Sequence, residues 1–133
     1  MFIIFIGKDE VIQIHEDIIK RYGGREGIHH IGLLESAINH PLMMLQYGNE
    51  EDQAIYSLAA AYFFHIIKNH PFIDGNKRTA LLTTLNFLDI NGFTIDTKYE
   101  LLYNLAINTA ASIISEKDIV SFFKKTIKNI GLN

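Results

Sequence analysis

The stretch "SLAAAYFFHIIKNHPFIDGNKRTALLTTLNFLDI", residues 57–90, decides the fold. Its first part, Ser57 to Ile67, is almost wholly apolar, as expected of a helix buried on most sides rather than one lying on a surface. That run falls well below membrane-spanning length and contains His65, so a buried core helix is predicted from Gln53 to Asn69. A second helix is predicted from about Asn76 to Asn91, with Gly92 as its C-terminal glycine. The connector between them carries far more polar chemistry than a turn requires.

Working outward, "EVIQIHEDIIKRY" places Val11, Ile14 or His15, Ile18 and Ile19 on one face at helical spacing, and Gly23 and Gly24 stop that helix. "GLLESAINH" predicts a short helix from about Leu33 to Asn39, ended by Pro41 because the residue before a proline resists the helical conformation. "PLMMLQYGNEED" is then a connecting segment. "YELLYNLAINTAAS" and "SEKDIVSFFKKTIKNI" supply two further amphipathic helices, the last with Ser115 as N-cap and Asp118 at its third position. The opening "MFIIFIGK" predicts a short strand or hairpin; it lacks a basic n-region, and its apolar run is too short for a signal peptide or a membrane span. The predicted fold is an all-α bundle with that one addition, a single domain over residues 1–133.

At 133 residues and 48% hydrophobic composition the chain is long enough for one sizeable core. Its formal charge of −3 gives no electrostatic case for direct nucleic-acid binding. Cysteine is absent, which excludes disulfides, cysteine zinc sites and a thiol nucleophile, and is compatible with a cytoplasmic protein.

The chemistry concentrates in residues 70–78. Pro71 stops the preceding helix at or before His70, leaving an imidazole at a helix terminus that faces the loop. The plain alternative is that His70 only interacts with the helix dipole. Gly75 permits a backbone conformation closed to other residues, and Asn76, Lys77 and Arg78 then open the next helix with free N–H groups. Amides, helix dipole and two adjacent cations form a cradle for a di- or triphosphate, with Arg78 able to bind bidentately and Lys77 acting as a point charge. Asp74, beside a bound polyphosphate, is the expected Mg2+ ligand; its alternative, shared with Asn76, is an N-cap. Phe72 is expected to turn inward and anchor the loop. A base, a metal carboxylate and a phosphate cradle are the parts needed to deprotonate a hydroxyl and transfer a phosphorus-containing group.

"HPFIDGNKR" resembles the signature of the Fic/Doc family, H-x-F-x-D/E-G/A-N-G/K-R. The likeness extends to "IHEDIIKRYGG", "GLLESAI" and "FLDINGF", covering about Glu10 to Ile127, and is to the Doc, or death-on-curing, branch. It implies a compact all-α fold in which His70 is the general base for a target hydroxyl, Asp74 binds Mg2+, Phe72 anchors the core, and the Gly75, Asn76 and Lys77 backbone with Arg78 holds the phosphates of ATP. AMP-transferring Fic enzymes usually carry glycine where this chain has Lys77, and a second arginine where it has Leu81. Members with the lysine pattern are similar to the toxin that transfers the γ-phosphate of ATP to a threonine of translation elongation factor Tu. The resemblance therefore implies a protein kinase toxin, with adenylylation, or a silent module acting through its antitoxin, as the alternatives. A Phd-like antitoxin is the implied partner.

Self-restraining Fic proteins carry a helix with Ser or Thr, three residues, Glu, then Gly or Asn. Ser112 to Glu116 fits five of these positions and Lys117 breaks the sixth, so restraint is expected from another chain. "PLMMLQYGNE" occupies the position of the family's target-docking flap, where Met43 and Met44 either line the flap or pack in the core. The tandem His29 and His30 are expected to be solvated. His65 and His70 lie five apart and share no helix face as an i, i+4 metal pair would, which leaves a zinc site with Asp74 weakly supported.

Overall fold

The structure is a computed structural model and describes residues 2–131. Its described residues form helices α1 (Lys8–Tyr22), α2 (Ile31–Tyr47), α3 (Ile55–Asn69), α4 (Asn76–Ile90), α5 (Tyr99–Ala110) and α6 (Glu116–Thr126), with two short strands, β1 (Phe93–Ile95) and β2 (Ile127–Asn129). The fold is all-α, as the sequence predicts. None of the described helices is long and apolar enough to cross a membrane.

α3 is the centre of the bundle. Every residue from Ser57 to Phe63 is buried, followed by Ile66 and Ile67, so this helix has no polar face over its first two turns. It packs most extensively on α2 and α4, with α6 and α5 covering the remainder. Tyr62, Phe63, Phe72, Phe87 and Phe123 are the largest fully buried side chains. The Tyr62 and Phe87 rings meet at 4.8 Å, and Phe63 meets Phe123 edge-on at 5.7 Å. These ring contacts tie α3 to α4 and α6. Each buried aromatic removes a large apolar area from water at roughly 25 cal/mol per Å2.

Four local readings of the sequence need correction. Pro41 does not end the second helix: it lies inside α2, buried, and the helix runs on to Tyr47 before Gly48 caps it through an N–H···O bond to Met44 of 2.9 Å. Proline removes one backbone donor, and burial of its ring on the core side offsets that loss. The expected connector over 41–52 is therefore helical in its first half. The N-terminal segment, expected as a short strand or hairpin, forms neither among the described residues. Its backbone pairs with side chains instead: Ile4 donates to Asn91 Oδ1 and accepts from Asn91 Nδ2, both at 2.8 Å, while Ile6 donates to and accepts from the Tyr62 hydroxyl at 2.9 Å.

The last helix, expected through Ile130, stops at Thr126. Beyond it, residues 127–129 pair antiparallel with β1, Phe93 opposite Asn129 and Ile95 opposite Ile127. Three residues per strand give too little alternation to announce a sheet. The start of α6 is as expected, for Ser115 Oγ accepts the Asp118 N–H at 3.2 Å while Asp118 Oδ2 accepts the Ser115 N–H at 2.8 Å. The fourth correction concerns the flap. Residues 41–47 belong to α2, with Met43 exposed and Met44 packed against the core, while the segment lying along the His70 loop is 24–30.

Candidate active site

The polar connector joins the C-terminus of α3 to the N-terminus of α4, the two elements most firmly held in the core. His70 is the C-cap of α3, exposed, with φ 50° and ψ 55°; its N–H still donates to Ile66 O at 3.3 Å. Its position before Pro71 forbids a further helical turn, and it takes the left-handed region rather than the extended one that proline usually imposes. A non-glycine residue held there costs on the order of 1 kcal/mol, and such strain concentrates at functional sites. The surroundings fix it: Pro71 is buried, and its carbonyl accepts the N–H groups of His29 at 2.7 Å and His30 at 3.1 Å. The side chains of both histidines are exposed, as expected.

Residues 27–30 run along the connector as a one-bridge sheet, Ile28 opposite Phe72, with Ile73 N–H donating to Gly27 O at 3.1 Å. Phe72 turns inward and is fully buried, the anchoring expected of it. Asn76 does the same from the other end. Its amide accepts the Phe72 N–H at 3.0 Å and donates to the Phe72 carbonyl at 2.9 Å, with 5% of its surface exposed. Its side chain thus closes the loop and is turned away from solvent, leaving only its backbone N–H for a ligand.

Asp74 is fully exposed. Its Oδ2 accepts the Arg25 N–H at 3.1 Å and its Oδ1 the Gly75 N–H at 2.9 Å. These two bonds, the Arg25 one first, hold its carboxyl below the ordinary carboxylate value against the opposing effect of desolvation, with Lys77 and Arg25 adding smaller charge effects. Gly24 makes that clasp feasible. It has φ +116°, and a Cβ there would sit 2.8 Å from Asp74 Oδ2.

Gly75, at φ +79°, is the N-cap of α4 and offers no side-chain cap; the first helical bond runs from Thr79 N–H to Gly75 O at 3.0 Å. The amides of Asn76, Lys77 and Arg78 therefore stand at an uncapped helix N-terminus with Lys77 half-buried beside them. The capping alternative for Asp74 and Asn76 thus does not describe this helix end. The Arg78 guanidinium lies 4.5 Å from the Tyr22 ring centre and 5.3 Å from that of Tyr103, and its buried Nε has no hydrogen-bond partner. Two aromatic faces hold the cation in place while leaving its donors uncommitted.

Among the described residues no group of three His, Cys, Asp or Glu side chains gathers as a metal cage. Mg2+ needs none, since it is held by one or two carboxylates with phosphate oxygens and water. An exposed, ionised Asp74 with one lone pair committed on each oxygen fits that role beside an anion cradle. His65 is engaged elsewhere: its Nε2 lies 3.1 Å from Glu116 and its ring stacks on His40 at 3.5 Å. Burial, then the His65 charge, lowers the His40 pKa. The would-be restraint motif is accordingly dispersed, with Glu116 on His65, and Ser112, at φ 60°, bonded to Lys68 Nζ in the turn before α6.

Sequence reasoning missed the residues that bring this site together from the first helix and its exit loop: His15, Tyr22, Gly24 and Arg25, with Tyr103 from α5. The signals were the likeness over "IHEDIIKRYGG" and the double glycine after α1, which reads as a stop rather than as a clasp.

A family model described as the Fic/DOC family matches residues 5–88, the span from the N-terminal segment through most of α4. The chain is 32% identical over 120 residues to "Protein kinase doc" of Escherichia phage P1, covering 90% of this chain and 93% of that protein. It is 33% identical over 91 residues to "Toxin Doc" of Mycolicibacterium smegmatis, covering 64% of this chain and 69% of that one.

Proposed function

Because this chain belongs to the Fic/DOC family, we propose that it is the toxin of a toxin–antitoxin pair and a protein kinase that transfers the γ-phosphate of ATP to a hydroxyl of a target protein. The carrying observation is the pairing of an exposed His70 at the end of α3 with an uncapped α4 N-terminus that bears Lys77 and Arg78. Similarity to a relative named as a protein kinase favours phosphate over AMP as the group moved.

In this reading an imidazole nitrogen of His70 takes the proton of the target hydroxyl as that oxygen attacks the γ-phosphorus. The bond to the β–γ bridging oxygen breaks and ADP leaves. The backbone N–H groups of Asn76 and Lys77 and the guanidinium of Arg78 hold the phosphates, Gly75 contributing its left-handed turn because its own N–H is taken by Asp74 Oδ1, and Tyr22 and Tyr103 keep that guanidinium ordered before substrate arrives. Asp74 would hold Mg2+, which when bound neutralises charge on the phosphates. The segment 24–30, bridged to Phe72, gives the target chain an edge to dock beside His70. Elongation factor Tu is the target and a Phd-like antitoxin the partner that this reading expects, in the cytoplasm and within a single domain of residues 1–133.

ATP labelled separately on its α and γ phosphates, incubated with Mg2+ and purified elongation factor Tu or a lysate, tests the proposal. Label transferred from γ alone is the expected result. Label from α makes the protein an adenylyltransferase, and label from neither leaves it acting through its antitoxin alone.

A further inference from the structure

His15 sits in the middle of the buried face of α1, between Val11 and Ile18, with 3% of its surface exposed. A polar ring in an apolar face is costly unless it is paired. Its Nε2 lies 2.8 Å from the carbonyl oxygen of Asp74. A carbonyl only accepts, so Nε2 carries a proton and donates. The same ring lies parallel to Phe72, centroids 3.9 Å apart and planes 6° apart. A Cβ placed on Gly75 would come to 3.6 Å from its Cδ2 and Nε2. One imidazole therefore touches three residues of the connector that carries His70 at one end and Arg78 at the other.

The peptide unit between Asp74 and Gly75 is planar, so an anchored carbonyl also fixes the N–H on its opposite side. That N–H donates to Asp74 Oδ1 at 2.9 Å, and the other carboxylate oxygen accepts the Arg25 N–H at 3.1 Å. The direction of the carboxylate is thus set by two backbone donors, one of which belongs to the peptide that His15 grips.

We propose that His15 is a positioning residue for the Asp74 carboxylate: it clamps the 74–75 peptide and so aims the group that holds the metal. The metal role of Asp74 rests on the function proposed above; the clamp does not. His15 is buried and touches neither nucleotide nor target. It acts through the connector alone, its face fixing Phe72 and its edge fixing the peptide.

Two substitutions separate face from edge. His15→Phe keeps a flat ring and loses the donor, while His15→Gln places an N–H near the position of Nε2 and loses the stack. Hydrogen exchange of the Gly75 and Arg25 amides, measured by NMR on protein free of metal and nucleotide, reads the clamp without any turnover. In His15→Phe those amides should exchange about tenfold faster, the change expected on losing one neutral hydrogen bond, with α3 amides unchanged. His15→Gln should restore their protection. In transfer assays His15→Phe should need more Mg2+ for half-maximal rate, with His15→Gln nearer to wild type.

Wild-type exchange at Gly75 and Arg25 in folded His15→Phe overturns the clamp. If His15→Phe does not fold, His15→Gln decides alone, and loss of Gly75 protection in that folded variant is the overturning result. A wild type that transfers phosphate without Mg2+ removes the metal role of Asp74, and the exchange rates then decide the clamp by themselves.

Discussion

Asn76 and Phe72 exchange two hydrogen bonds, the Phe72 N–H to Asn76 Oδ1 at 3.0 Å and the Asn76 Nδ2–H to the Phe72 carbonyl at 2.9 Å. One side-chain amide thereby satisfies both backbone groups of a buried residue, in the manner of a strand partner. Asn76→Ala leaves both groups buried and unpaired, so it should destabilise the protein by about 2–4 kcal/mol. Asn76→Asp should be nearly as harmful, because a carboxylate accepts the N–H but cannot donate to the carbonyl. Urea unfolding of the two variants checks this, and a loss below about 0.5 kcal/mol for both contradicts it.

Phe72 is fully buried and stacked on His15. Phe72→Ala should cost about 3–5 kcal/mol by leaving a cavity under the connector. Its residual activity should fall through a loosened loop, so cooling should recover part of it. An activity loss that does not change between low and moderate temperature points to direct participation instead.

His70 is exposed and has no packing role, so His70→Ala should keep the melting temperature within a degree or two while lowering transfer by at least the 100-fold or so expected on losing a general base. Growth arrest on expression should disappear with it. A variant that still arrests growth at the wild-type level takes His70 out of catalysis.

Asp74 binds its proton less readily in the folded chain than in the unfolded one, where its ordinary value is 3.8. The unfolded state takes up the proton first, so this group supports the fold above that value, and the support is lost as pH falls below 3.8 through the lower folded-state pKa. Asp74→Asn should flatten that acid limb of a pH–stability profile by lowering stability at neutral pH, where the slope stays unchanged. It should also keep part of the backbone clasp but impair Mg2+-dependent transfer, whereas Asp74→Ala should lose both. Equal activity of Asp74→Asn and wild type would restrict Asp74 to holding Arg25 and Gly75.

Lys77 stands at the second position of α4, beside the free amides, and takes no part in the Asp74 hydrogen bonds; in the proposed function its charge and bulk would shape the phosphate pocket. Lys77→Gly should lower γ-phosphate transfer by about tenfold or more, as expected when one phosphate cation is withdrawn. Some α-phosphate transfer should emerge only when Leu81→Arg is added. Leu81 is 2% exposed, however, so that second change also buries an arginine, and the double variant must be shown folded first. Undiminished kinase activity in Lys77→Gly removes lysine from the choice of phosphate.

Helix α3 and the connector after it were legible in the sequence because their signals are local. A run such as Leu58 to Phe63 has no polar face and is suited to burial, Pro71 follows directly on the helix end it disfavours extending, and Gly75 frees the backbone for φ +79°. The same locality explains the errors. Pro41 reads as a stop, yet the packing of its ring in α2 outweighs the missing donor. The segment 127–129 reads as helix until Phe93–Ile95 is brought beside it.

Residues that carry the proposed chemistry lie within nine positions, so the sequence puts forward His70, Asp74 and Arg78 as candidates, while a helix-dipole role for His70 and an N-cap for Asp74 stay open until the family resemblance is weighed. How they are held was decided by tertiary structure: His15 meets Asp74 across 59 residues and Arg25 meets it across 49. Those bonds form only because the core brings α1 against α4, and no local pattern encodes a partner at that separation. A sequence fixes which groups can accept, donate or carry charge; only the closed chain determines which of them its own backbone engages and which it leaves for a substrate.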